Sequence, residues 1–206
     1  MNSSSIKILG TLYSPFVRRI LLFTAHHKIV VDTKFFTNIL DNKFPEILQN
    51  NPAHQVPILI DEKDQKTIYD SRLIAMYLMD KFHINKFTFE EEQFLYLINL
   101  VNDSAVQLLL HERHGLSSIE GGKKIKIKLL ERIENSLTYI HQNINQFENW
   151  NFCSISLYCL LDWITFRKIY DWECEGSESK FSGFHHFMKK NTSQLNVSET
   201  NPRNFI

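Results

Sequence analysis

The chain has 206 residues and a mass of 24.4 kDa, enough for one large domain or two small ones with real cores. Its 23 basic residues are balanced by 23 acidic ones, which argues against a nucleic-acid or membrane-surface protein, since both need a basic face. The partner expected from this balance is small. Met1 to Ser5 lack the charged and apolar regions of a signal peptide, and no apolar run approaches transmembrane length, so a cytoplasmic location is expected.

In chain order, Ile6 to Leu12 is a β-prone run. Ser14 and Pro15 supply a turn and a first helical position, and Val17, Ile20, Leu21 and Ala25 recur at helical spacing, which predicts a helix over 16–27. A strand over 30–36, a short helix over 44–49, a strand over 56–61, a turn at 64–66 leading to Thr67–Tyr69 and a helix over 71–82 follow. From Glu90 the pattern is helical throughout: Phe94, Leu97, Ile98, Val101, Ala105, Leu108 and Leu109 share one face, and Leu129, Ile133, Leu137 and Ile140 share another. Gly121-Gly122 is expected to break the chain direction ahead of that second run. Lys123, Lys124, Lys126 and Lys128 read as a solvated face.

A third helix over 154–170 is apolar on most sides and is the expected core of the helical half. Its Arg167 must be paired or sit at the helix edge. Asn191 to Arg203 reads as a polar tail. The expected organisation is an α/β domain over 1–82 and an all-helical domain over 90–206.

Three short motifs carry chemistry. Ser14 lies at a helix N-terminus, where unpaired N–H groups and the helix dipole favour negative charge; it reads either as a plain N-cap or as a hydroxyl beside a bound thiolate. Val56-Pro57 leads into the apolar strand Ile58-Leu59-Ile60, and a cis peptide there would turn the Val56 N–H and C=O towards a bound peptide. A trans bond is the commoner state of X-Pro pairs. Asp70-Ser71 opens a further helix with a carboxylate and a hydroxyl suited to a zwitterionic amino-acid head group, or simply as a cap.

Metal and dithiol chemistry are not expected. Cys153, Cys159 and Cys174 form no C-x-x-C pair, and Ser14 and Val17 fill the positions where a thioredoxin-like redox protein carries its cysteines. His111 and His114 are three apart, with no further ligand at metal-binding spacing.

Together the motifs Tyr13-Ser14-Pro15-Phe16-Val17-Arg18-Arg19, Gln55-Val56-Pro57-Ile58-Leu59 and Asp70-Ser71-Arg72-Leu73-Ile74 resemble those of cytosolic glutathione transferases, within them a bacterial serine-type subgroup opening with Ser-Pro-Phe-Val-Arg. Cys159 to Lys168 is also similar to a helix of that subgroup's second domain. The resemblance implies a thioredoxin-like α/β N-terminal domain and an all-α C-terminal domain. It implies glutathione as co-substrate, Ser14 as the hydroxyl that activates its thiol, and Val56, ahead of a cis Pro57, as the backbone partner of the cysteinyl part. Asp70 and Ser71 would hold the γ-glutamyl head. Phe16, Lys43 and Gln55 would complete the site, with Asp103 reaching the partner subunit's glutathione in a homodimer. Phe16, His111 and Tyr158 are the expected contacts of a small hydrophobic electrophile.

Two features depart from the family pattern. His54 and Gln55 stand where relatives carry glycine and lysine, so a cationic contact falls to Lys43. In the second domain Asn151 and Ser154 stand in for a Ser/Thr-x-x-Asp box. The expected reaction is conjugation of the glutathione thiolate to an electrophilic carbon in a detoxifying transferase. The alternatives are a non-catalytic binding or regulatory module, as in transferase-like proteins that contact RNA polymerase, or peroxidase or dehalogenase chemistry with the same thiol.

Overall fold

A computed structural model of the chain describes residues 5–37, 39, 42–172, 180–193 and 195. Two compact units are present, built on residues 5–86 and on residues 87–190.

The first unit runs β1 (Ile6–Gly10), α1 (Pro15–His26), β2 (Asp32–Phe35), α2 (Pro45–Asn50), β3 (Ile58–Asp61), β4 (Lys66–Ile68) and α3 (Ser71–Lys81). Its strands form one sheet in the order β2-β1-β3-β4, with β1 parallel to β2 and antiparallel to β3, and β3 antiparallel to β4. This is the expected thioredoxin-like arrangement. The strands are shorter than the apolar runs suggest. β3 starts only at Ile58, since Pro57 has no N–H for the ladder, and β1 ends at Gly10, where the chain turns towards α1. A Cβ on Gly10 would lie 2.7 Å from Val17 Cγ1, so glycine lets α1 close onto the strand. Ile8, Leu9, Ile20, Leu22, Ile58, Leu59, Ile74 and Leu78 fill the core between sheet and helices.

The far end of α3 is clamped to the sheet through Asp61, whose side chain is fully buried at the end of β3. One carboxylate oxygen accepts the Lys63 and Asp64 N–H groups, each at 3.1 Å; the other accepts the Tyr77 hydroxyl at 2.8 Å and the Lys81 ammonium. Burial pushes the Asp61 carboxyl up, but Lys81, the Asp64 N–H and Tyr77 outweigh it and hold it below the usual carboxylate range. Hydrogen bonds to Asp61 and Asp64 push the Lys81 ammonium up.

The second unit runs α4 (Phe89–Arg113), α5 (Glu120–Gln142), α6 (Phe152–Phe166) and α7 (Lys180–Ser193). Thr88 and Glu91 form a complete capping box at the start of α4. Glu91 also accepts Asn151 Nδ2 at 2.5 Å, and Asn151 Oδ1 in turn accepts the Ser154 N–H at 2.9 Å. The two helix starts are thereby tied together. Residues 152–164 of α6 are all buried, as its apolar composition requires, and Arg167 caps the helix at its edge. α7 extends through Ser193, where the polar tail was expected to begin at Asn191; the rest of that tail, from 196, and Cys174 lie outside the described residues. No described helix is long and apolar enough to cross a membrane.

Gly121-Gly122 is placed differently from the expectation. Both residues lie in the first turn of α5 instead of breaking the chain before it. A Cβ on Gly122 would sit 1.8 Å from the Leu116 carbonyl oxygen, so this glycine admits the preceding 3₁₀ turn against the helix. The lysines that follow are exposed or half-buried, and two of them pair with Glu120 and Glu112.

A folded-state carboxyl held low contributes stability above its unfolded value of about 3.9 and loses it as pH falls through the folded value. Asp61→Asn removes the fully buried anion and leaves Lys81 and Tyr77 with only the exposed Asp64 carboxylate, and is expected to cost about 2 kcal/mol at neutral pH. Urea unfolding at a series of pH values should show the gap to wild type closing below about pH 4.

Candidate functional site

The sheet topology decides where the three motifs meet. β1 and β4 run in one direction and β3, between them, in the other, with Leu9 opposite Ile58 and Leu59 opposite Ile68. The loop leaving β1, the segment entering β3 and the loop leaving β4 therefore emerge at the same edge of the sheet. Those three segments carry Ser14, Val56-Pro57 and Asp70-Ser71.

At that edge α1 begins with Ser14 as its N-cap, extended at φ −93° and ψ 125°, its Oγ accepting the Val17 N–H at 3.3 Å. Pro15 follows at the first helical position, where its missing N–H costs nothing. Ser14 is half-buried, and among the described residues nothing accepts its hydroxyl hydrogen. Phe16 is half-buried beneath the Arg19 guanidinium, 4.9 Å from its ring. α3 begins with Asp70 as an exposed N-cap, its carboxylate accepting the Leu73 N–H at 3.0 Å. Ser71 is the first helical residue and is buried.

The Val56–Pro57 peptide is cis. Val56 packs beside the core cluster of Leu9, Ile47 and Ile58. The loop before it is held from inside: Asn51, 3% exposed, donates to the Gln55 carbonyl at 2.9 Å and accepts the Ala53 N–H at 3.0 Å. His54 adopts a left-handed φ of 53°, and its Nε2 accepts the Phe44 N–H at 2.9 Å. That nitrogen is committed to the backbone, so His54 is a strut between two loops and offers no cationic arm. The Gln55 and Lys43 side chains are exposed.

The remaining expected contacts lie in the helical unit. Asp103 is on the exposed face of α4, opposite the buried Asn102, Ser104 and Ala105. His111 is half-buried near the end of the same helix. Tyr158, expected as a second-substrate contact, is only 3% exposed and packs 5.1 Å from the His185 ring. It is a core residue, because α6 is apolar on every side and is buried accordingly. Among the described residues, no group of three or more His, Cys, Asp or Glu is placed to hold a metal.

Arg19 is the site residue that the motif reading passed over. It is 2% exposed, and Nε and an Nη donate to the Ser71 hydroxyl oxygen at 3.1 and 2.6 Å. An arginine directly ahead of the unbroken apolar run Ile20-Leu21-Leu22-Phe23 was the available clue, since a helix buried on several sides must give a guanidinium partners.

Residues 13–81 match the family model described as glutathione S-transferase, N-terminal domain. The fold is that of the glutathione transferases. A glutathione S-transferase from Methylobacillus flagellatus KT with glutathione bound superposes with a TM-score of 0.77 at 22% identity, over 92% of this chain and 98% of that one. A glutathione transferase from Phanerochaete chrysosporium with oxidized glutathione gives 0.76 at 17% identity, over 97% and 96%. A family member from Pseudomonas fluorescens Pf-5 with S-(propanoic acid)-glutathione gives 0.74 at 15%, over 96% and 98%. No curated protein matches the sequence. In the glutathione-transferase fold of this chain the matched segment, 13–81, contains all three motifs and Arg19.

As an exposed N-cap, Asp70 should be replaceable by Asn with little change in stability, whereas Asp70→Ala should cost about 1 kcal/mol. Thermal melts of the two variants against wild type check this.

Proposed function

We propose that this chain is a serine-type glutathione transferase that conjugates the glutathione thiolate to a small electrophilic carbon. The observation that carries the reading is the convergence of two capped helix N-termini and the cis Val56–Pro57 peptide at one sheet edge, inside the segment that matches the transferase N-terminal domain. The three solved relatives described above hold glutathione or a derivative of it.

In this reading the cysteinyl part of glutathione pairs with the backbone of Val56, and its sulfur lies at the start of α1. The Ser14 hydroxyl donates to the sulfur, and the positive end of the helix dipole adds to the preference for the thiolate. The thiol proton leaves to solvent, and the sulfur bonds to the electrophilic carbon as halide departs from an aryl halide, or as the adjacent carbon of an enone takes up a proton from solvent. Asp70 takes the γ-glutamyl ammonium, Ser71 and the first N–H groups of α3 take its carboxylate, and Lys43 and Gln55 flank the peptide. Phe16 remains a second-substrate contact of the reading; Tyr158 does not, being closed into the core. A cytoplasmic homodimer completes it, with Asp103 directed to the partner's site.

A second reading, a non-catalytic binding or regulatory module on the same fold, is favoured by one observation. His54 Nε2 is spent on the Phe44 N–H, and Gln55, where the resemblance implies a lysine, carries no charge.

Titration with reduced glutathione, following the thiolate ultraviolet absorbance against pH, separates these readings. The transferase should bind it with a thiol pKa below that of the free peptide and turn over an aryl halide or an enone. Ser14→Ala should keep the fold, raise that pKa and cut turnover about a hundredfold. Binding without a lowered pKa or turnover would overturn the transferase reading, and no binding at millimolar glutathione would select the second.

A further inference from the structure

A serine hydroxyl has two acceptor lone pairs and one hydrogen. At Ser71 both lone pairs face the same guanidinium, with Arg19 Nε at 3.1 Å and an Arg19 Nη at 2.6 Å. With its accepting capacity filled by a cation, the oxygen can act towards a third partner only as a donor. Among the described residues nothing accepts that hydrogen. The bond joins α1 to α3 across 52 positions of sequence, and both side chains are buried, at 2% and 1% exposed. The Arg19 charge thus sits behind the first residue of α3, where it adds to the positive end of that helix dipole.

We infer that Arg19 is a positioning residue that fixes Ser71 as an obligatory hydrogen-bond donor and so makes the start of α3 selective for a carboxylate. This inference rests on the glutathione reading, in which the γ-glutamyl carboxylate is the group presented there. Arg19 does not touch the ligand. It acts by removing the alternative in which the Ser71 hydroxyl turns round and presents lone pairs to an anion, and by polarising the O–H bond. The Phe16 ring lies against the guanidinium, 4.9 Å from its carbon, so the group whose in-plane N–H bonds reach Ser71 also packs on an aromatic ring of its own helix.

The test compares two ligands on full-length protein: glutathione, and the analogue in which a 4-aminobutyryl group replaces γ-glutamyl and the α-carboxylate is absent. Wild type should prefer glutathione, and Ser71→Ala and Arg19→Gln should each lose about tenfold of that preference, the size of one charge-assisted hydrogen bond. Because Arg19 acts through Ser71, the double variant should lose no more than Ser71→Ala alone. Arg19→Lys, which keeps the charge and a single donor, should lie between wild type and Arg19→Gln, and it serves in place of Arg19→Gln should that variant not fold. A merely structural role would weaken both ligands equally and leave their ratio unchanged; that result, or losses that multiply in the double variant, overturns the inference while the glutathione reading stands. Failure of wild type to bind glutathione overturns both.

Discussion

The site depends above all on the antiparallel course of β3 between two strands that run the other way. A loop leaves β1, a segment enters β3 and a loop leaves β4, and hydrogen-bond register forces all three to the same edge. Two of those loops open helices, so two sets of unpaired N–H groups and two positive dipole ends gather where the chain also presents Val56. Such an edge favours a ligand that carries negative groups.

Holding that edge in register falls to groups far from any ligand. The Asp61 carboxylate grips Tyr77 and Lys81 and fixes the C-terminal end of α3, while Arg19 grips Ser71 and fixes its N-terminal end. Both anchors place a charge among several buried hydrogen bonds, so a substitution there costs lost polar partners as well as packing. α3 is thereby pinned at both ends, and the position of its first turn is set by α1 and the sheet together. The loop from Asn51 to Gln55 is braced in the same way, through Asn51 and through the His54 ring against Phe44.

The helical unit shows how a buried element draws polar residues into structural roles. α6 is surrounded on all sides, so its start cannot be left to water, and Asn151 both caps it and donates to Glu91 of the α4 capping box. Tyr158 belongs to the same logic: on a helix with no exposed face, even a polar aromatic is packing material.

Periodicity and caps read from the sequence determined the type and order of the elements from β1 to α6, because apolar spacing and Ser, Asp and Asn at helix starts are local properties of the chain. Ser14, Asp70 and Asn151 were legible as caps for that reason. Their gathering, where it occurs, was not: Ser14 and Asp70 are 56 positions apart, and only strand order and direction bring their loops to one edge. Local reading also misplaced Gly121-Gly122, since a close approach to the Leu116 carbonyl is a tertiary fact and glycine in isolation signals only a break. It read His54 only as part of a loop that departs from the family's glycine and lysine, and Arg19 as one letter of a motif. What each does depends on the atom facing it, Phe44 N–H in one case and Ser71 Oγ in the other, and those partners come from elements that only the folded chain brings into contact.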